Sequence, residues 1–173
     1  MGTTNRNMPW KYGDTRPVVS KAKQALVAIA VGDLVGQAGG TITGATSSVS
    51  ITVGLPFPAS DTPWDTNLAT TQEAFHDAFL GVANQRGQSA DTDSIQVGTN
   101  GVYEFDCASA SFNVGDLVGP AKQSGNLLED QKVVAVATAN LAIGRVAKAG
   151  TSVTKVLVRI FSTLMDGGPQ VPA

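Results

Sequence analysis

The sequence predicts a mainly β protein: a compact barrel- or sandwich-like domain with a short inserted helix and an extended N-terminal arm. Three observations predict it. Charged residues make up only 15% of the chain and aromatics 6%, while Gly, Ala, Val, Ser and Thr are abundant. That mix suits short strands joined by small-residue turns better than a helical bundle. Several stretches alternate apolar and polar residues between glycines, the period of a half-buried strand. Finally, Val-Gly-Asp-Leu-Val-Gly occurs twice, from Val31 and from Val114. A chain of 173 residues is most simply one domain, long enough to bury a real core.

The elements follow in order. Residues 1–23 are polar, with Pro9 and Pro17 and no sustained period, and read as an extended arm. It is basic: Arg6, Lys11, Arg16, Lys21 and Lys23 stand against Asp14 alone. Such an arm is either unstructured or docked on a neighbour. Trp10 and Tyr12 favour docking, because exposed aromatics make good anchors. Arg6, Trp10, Lys11, Tyr12, Arg16, Lys21 and Lys23 are therefore the candidate partner-binding residues.

Residues 24–162 are expected to form the single β-rich domain. "ALVAIAVGDLVG" is an apolar run, a Gly-Asp turn and a second apolar run. In the next stretch Ile42, Val49, Ile51 and Val53 alternate with Ser and Thr, as in a strand. "LPFPASDTPWD" carries Pro56, Pro58 and Pro63, so it is expected to be a loop. A helix is expected near 70–80, with Thr70 and Glu73 as a capping box and Phe75, Ala78 and Phe79 on one face. Gly81 is expected to end it, with "FLGVA" already entering a strand. The inserted loop and helix thus occupy about residues 55–80.

Strands are expected at Ile95–Val97 and from Val102 through Phe105, joined by a tight "TNG" turn. "KVVAVA", "LAIGRVAKA" and "TKVLVRIF" close the domain. In the last, Val156, Val158 and Ile160 share one face, with Lys155 and Arg159 on the other. Residues 163–173 read as a flexible tail.

The repeat reaches past the hexapeptide, since "FLGVA" follows the first copy and "AIGRVA" the second. Two related β-units, with the helix inserted into the first, would account for this. So would one favourable turn used twice.

The chemistry of the repeat is that of a turn. It has no lysine or hydroxyl placed as a phosphate loop requires, and one aspartate per copy is too few oxygens for a calcium loop. Glycine reaches positive φ cheaply and aspartate caps a nearby amide, so Gly32, Asp33, Gly115 and Asp116 are assigned as structural turns. "DTDS" at Asp91–Ser94 lacks the later glutamate of an EF-hand.

His76 and Cys107 are the sole histidine and thiol. A catalytic pair between them is improbable, as is a zinc site, and no internal disulfide can form. Glu104 and Asp106 flank Phe105 as a solvated strand edge would, with a glycosidase-like pair as the sharper alternative. No catalytic, cofactor-binding or metal-binding residue is assigned, and the expectation is a protein that is not an enzyme.

The formal net charge is −2, which argues against nucleic acid as the main partner. Its distribution is uneven. Between Gln24 and Gln85 there is no Lys or Arg, only Asp33, Asp61, Asp65, Glu73 and Asp77 as charges. No stretch resembles a signal peptide or a membrane span, so synthesis in a cytoplasm and no membrane partner are expected.

In order, "VGDLVG", "FLGVA", "TNGVYEFD", "VGDLVGP", "LAIGRVAKAGTS" and "VLVRIF" run from about Ala25 to Phe161. This ordered set resembles a family of small β-rich proteins encoded among phage head genes, known by a domain-of-unknown-function label and sometimes called recombinase. The resemblance implies a capsid decoration or cement protein on the exterior of the virion head. It further implies a major capsid protein as partner and a homo-oligomer, with a trimer favoured. The proline-rich loop, the helix and the long basic arm depart from simple members of that family. The recombinase label finds no nucleotide-binding loop to support it. The competing readings are a carbohydrate- or surface-binding β-module, a minor capsid or shell protein, and a hydrolase using Glu104 and Asp106 or His76.

Overall fold

Short strands of small and β-branched residues, each ended by glycine, proline or an Asp turn, set the architecture. The computed structural model describes residues 10–12, 18–23, 27–37, 55–62, 67–125 and 127–169. In chain order the elements are β1 (Trp10–Tyr12), β2 (Val18–Ala22), β3 (Leu34–Gln37), β4 (Pro56–Pro58), α1 (Leu68–Ala78), β5 (Phe79–Ala83) and β6 (Ser94–Gly98). There follow β7 (Asn100–Phe112), β8 (Leu117–Lys122), β9 (Leu128–Ala135), β10 (Gly144–Val146), β11 (Gly150–Phe161) and α2 (Thr163–Asp166). One-turn 3-10 helices stand at Ala59–Asp61 and Ala139–Leu141.

The strands make two sheets. The first has the order β2-β6-β5-β3-β4, and the second β1-β7-β11-β10-β8-β9. In the second, β7 also meets β9 in parallel at Asp106–Lys132, so five strands close into a barrel with β1 outside on β7.

The two sheets repeat each other register for register. Leu34 and Val35 of β3 face Val82 and Gly81, as Leu117 and Val118 of β8 face Arg145 and Gly144. Val82 and Ala83 face Gly98 and Val97, as Arg145 and Val146 face Arg159 and Val158. The outer pairings match too. Val18 and Val19 of β2 lie opposite Gly98 and Val97, and Val102 and Tyr103 of β7 opposite Arg159 and Val158. On the far side, Val35, Gly36 and Gln37 pair with Pro58, Phe57 and Pro56, and Val118, Gly119 and Pro120 with Ala135, Val134 and Val133. A recurrent turn accounts for the hexapeptide alone. It does not account for five strands in the same order and register, so the chain holds two related β-units. The first runs from β2 to β6 and the second from β7 to β11.

Both Gly-Asp turns are built from the same bonds. Gly32 and Gly115 have φ of 96° and 92°, the left-handed region that glycine reaches cheaply. Asp33 Oδ2 accepts from Ala30 N and Asp116 Oδ2 from Asn113 N, each at 2.7 Å. Gly32 N donates to Ala83 O at 2.8 Å and Gly115 N to Val146 O at 2.9 Å, tying each turn to the next strand of its own sheet.

Helix α1 is the insertion that interrupts the symmetry, standing between the first 3-10 turn and β5 where the second unit runs directly into β10. Its cap lies three residues earlier than the sequence suggested. Asn67 Oδ1 accepts from Thr70 N at 3.1 Å and Thr70 Oγ1 from Asn67 N at 3.4 Å. Asn is as good an N-cap as Thr, and the Thr70 hydroxyl at N3 does what a glutamate would, leaving Glu73 for another contact. The helix ends at Ala78, because Phe79 is already extended at φ −63°, ψ 116°. Gly81 lies inside β5 rather than at the helix end. A Cβ there would stand 2.1 Å from Gly98 O, so the close approach of β5 and β6 demands glycine.

Most of the core is shared. Leu34, Phe57, Phe75, Phe79 and Val82 from the first unit pack with Tyr103, Phe105, Val118, Ile143, Val158 and Ile160 from the second. Phe75 meets Phe57 edge-on at 6.4 Å between ring centroids and Phe79 at 5.7 Å. The other face of the first sheet (Val35, Leu80, Ala83, Ile95, Val97) is covered by Val27 and Ile29.

Three expected boundaries move. Residues 18–22 belong to the first sheet as β2, so the arm is shorter than 1–23. Pro56–Pro58 is a strand, β4, at the edge of its sheet, where a residue without N–H is tolerated. The tail is partly structured: α2 is capped by Ser162, whose Oγ accepts from Met165 N at 3.2 Å, and Gly168 and Pro169 are buried. The alternating stretch Ile42–Val53, with Trp64 and residues 170–173, lies outside the described residues.

Candidate functional site

Lys21 is the one basic arm candidate whose described side chain is half-exposed, on β2 opposite Ile95. The backbone of Trp10–Tyr12 forms β1, with Trp10 opposite Tyr103 and Tyr12 opposite Val102. The arm therefore adds a strand to its own barrel at that point. Arg6 and Arg16 fall outside the described residues.

Lys23 is a correction. Its side chain is 0% exposed, its ammonium donates to Val27 O at 2.6 Å, and Asp91 lies 3.7 Å away. Burial forces a lysine to find charge and acceptors inside, and Lys23 finds both, the Val27 carbonyl and the Asp91 carboxylate of the loop before β6. It is a structural residue, not a surface contact. Asp91 of "DTDS" is thereby absorbed as well, accepting also from Gln88 N at 2.8 Å.

The other chemistry-bearing candidates are held apart. Cys107 is buried, its thiol donates to Val153 O at 3.4 Å, and burial pushes its pKa up. His76 faces Ala142 O at 2.6 Å through Nδ1; a carbonyl only accepts, so Nδ1 carries the proton. Neither contact turns one residue toward the other. Glu104 is a partly exposed strand residue 3.7 Å from Lys155. Among the described residues no group of three or more His, Cys, Asp or Glu is arranged to hold a metal ion, and no helix is long and apolar enough to cross a membrane. An open groove of ≈ 260 Å³ runs between Ala28–Ala30 and Arg86–Ser89, with Arg86 the one charged side chain among the described residues that line it.

What the sequence did not reveal is the joint between the units. Three side chains of α1 reach from the first unit to the second. Gln72 Nε2 donates to Pro120 O at 2.7 Å, His76 to Ala142 O, and Glu73 Oε1 accepts from Asn140 Nδ2 at 2.9 Å. His76 stands four residues from Gln72 and three from Glu73, so it neighbours both on the helix surface. Only the polarity of that surface hinted at it. Two further ties join the units: Ser60 N donates to Asp130 Oδ1 at 2.7 Å, and Gln131 Nε2 donates to Asp33 Oδ1 at 2.8 Å and Val31 O at 3.4 Å.

Asp33, Asp61 and Asp130 all have raised pKa values. Burial is the first cause for each, and that of Asp130 reaches about 7. For Asp130 the charge of Asp33 adds to burial, the Ser60 amide and hydroxyl oppose it, and Asp61 adds a smaller push.

No family model matches the chain, and no curated protein matches it.

Proposed function

We propose that this protein is a structural component of a phage virion, a decoration or cement protein that binds the outside of the head and stabilises contacts between major capsid proteins. One observation carries the reading. The ordered motifs behind the family resemblance fall on the scaffold strands and turns: the two Gly-Asp turns and the strands β5 and β10, which correspond between the units, and β7 and β11, which pair within the second. What resembles that family is thus the duplicated scaffold itself rather than a detachable motif.

The polar groups that would serve catalysis are spent on fastening the scaffold: His76 and Gln72 on carbonyls, Cys107 on Val153, Lys23 on Val27. A rigid body with free surface and an attached arm is what a clamp between capsomers requires. In this reading the partner is the major capsid protein, the oligomer a trimer, the location the capsid exterior, and the arm before β1 a contact. The carbohydrate-binding alternative loses one of its aromatics, since Tyr103 is 0% exposed and unavailable to a surface platform.

The test deletes residues 1–9, leaving β1 and β2 intact, and measures occupancy on purified heads by quantitative gel or cryo-EM density. Reduced occupancy with unchanged thermal stability supports the arm contact. Undiminished binding removes the arm from the interface, and no binding of even the full chain overturns the reading.

A further inference from the structure

The two units treat corresponding faces differently. Leu34 of β3, Val82 of β5 and Gly98 of β6 stand side by side across the first sheet, and all three are buried. Leu34 and Val82 lie in the core shared with the second unit. The corresponding row of the second unit is Leu117, Arg145 and Arg159. There Leu117 and Arg145 are half-exposed and Arg159 is exposed. The face that the first unit packs against its neighbour is thus open in the second. Leu157 and Phe161, two residues either side of Arg159 on β11, are half-exposed beside it. Arginine and aromatic side chains set among apolar ones are the composition of interface hot spots.

Arg145 and Arg159 are direct cross-strand partners, and like charges in that position repel. Arg145 Nη1 donates to Gly115 O at 2.8 Å, and the Arg159 guanidinium lies 5.1 Å over the Phe161 ring. The opposite charge is doubled in the same way on α1. Glu73 and Asp77 are both exposed and four residues apart, a like-charge spacing that weakens a helix. Glu73 takes a neutral partner, Asn140, and Asp77 has no cation within ion-pair reach among the described residues. Side chains four apart on a helix and side chains opposite across a strand pair are both spaced by roughly 5 Å at Cβ. The two pairs therefore match in number, spacing and sign, and each relieves the repulsion within the other.

We propose that the Arg145–Arg159 face of one copy of this chain docks the Glu73–Asp77 face of α1 on a second copy. The two surfaces are unlike, so the contact is head-to-tail, and a closed ring satisfies every copy. The inference rests on the homo-oligomer of the reading above and supplies its contact; it does not depend on the head.

The experiment measures self-association of the full chain by sedimentation equilibrium at low salt, for wild type, Arg159→Glu, Asp77→Arg and the double variant. All three changes fall on exposed side chains, and circular dichroism and melting curves verify that each protein is folded. Each single reversal should weaken association by about tenfold or more, and the double variant should regain most of the loss. A wild-type chain that stays monomeric, single reversals without effect, or a double variant no better than the singles overturns the interface. Occupancy on purified heads separates this contact from the decoration reading. Arg159→Glu that self-associates like wild type but leaves the heads assigns the arginine face to the shell and overturns docking on a second copy. A full chain that self-associates as expected but never binds heads supports the interface and overturns the decoration reading instead.

Discussion

Gln131 donates its side-chain amide to Asp33 at 2.8 Å, from β9 of one β-unit to the Gly-Asp turn of the other. The two turns of the repeat are therefore alike in construction and unlike in use. Asp116 is half-exposed and binds its own loop through Asn113 N, while Asp33 is buried and also anchors the opposite unit. Replacing Asp116 by Ala removes a local cap and should lower stability by about 1 kcal/mol. Asp33→Ala also takes from the Gln131 amide the shorter of its two acceptors, leaving the Val31 carbonyl at 3.4 Å, and should cost roughly 2 kcal/mol. Denaturant midpoints at constant slope measure both, and equal losses would contradict the bridging role.

The repeat also sets two glycines apart. Gly115 has a positive φ but open space where a Cβ would go, whereas a Cβ on Gly119 would stand 2.3 Å from Leu141 O. Gly115→Ala should cost about 1 kcal/mol through backbone strain alone. Gly119→Ala should cost about 2–3 kcal/mol, because β8 must move off the turn after β9. Thermal unfolding of the two variants ranks them, and the reverse order would show the packing to be misjudged.

Lys23 and the basic residues before it separate by readout. Lys23→Ala removes a buried bond and the aliphatic stem lying against Gly87, and should destabilise by about 2 kcal/mol. Lys21→Ala, half-exposed on β2, should leave stability within about 0.5 kcal/mol, the range of surface changes, and act on head binding if the basic arm is a contact. Melting curves paired with a head-binding assay distinguish them. A Lys23→Ala protein that melts like wild type would return that residue to the surface set.

On α1 the three ties to the second unit differ in burial. Gln72→Ala leaves the Pro120 carbonyl without its donor in a buried place and should cost about 1–2 kcal/mol. Glu73→Ala breaks an exposed bond to Asn140 and should cost no more than about 0.5 kcal/mol. Urea unfolding monitored at Trp or Tyr fluorescence suffices, and a larger loss at Glu73 would show that the exposed tie dominates.

Local pattern carried much of the fold. Val156, Val158 and Ile160 point inward as their alternation requires, "FLGVA" enters a strand straight from the helix, and both Gly-Asp pairs form turns. The duplication was visible only as a repeated hexapeptide and a glycine strand, because register is held by backbone pairing that different side chains share: Val82 and Arg145 occupy the same place. The Asn67 cap was missed because Thr70 and Glu73 offered a stronger pattern. The burial of Lys23 had no local sign, since its acceptor is a backbone carbonyl, that of Val27, and its carboxylate, Asp91, comes from a distant loop. The joint was illegible for the same reason. Asp130 meets Ser60 across 70 residues, and no periodicity announces that a polar strand residue faces another sheet.

Quantitative mass spectrometry of purified particles encoding this chain should find it at high copy number, in a simple ratio to the major capsid protein, and released from the shell without loss of the packaged genome's container. Its absence from purified particles, or its presence at only a few copies, would contradict the decoration reading directly.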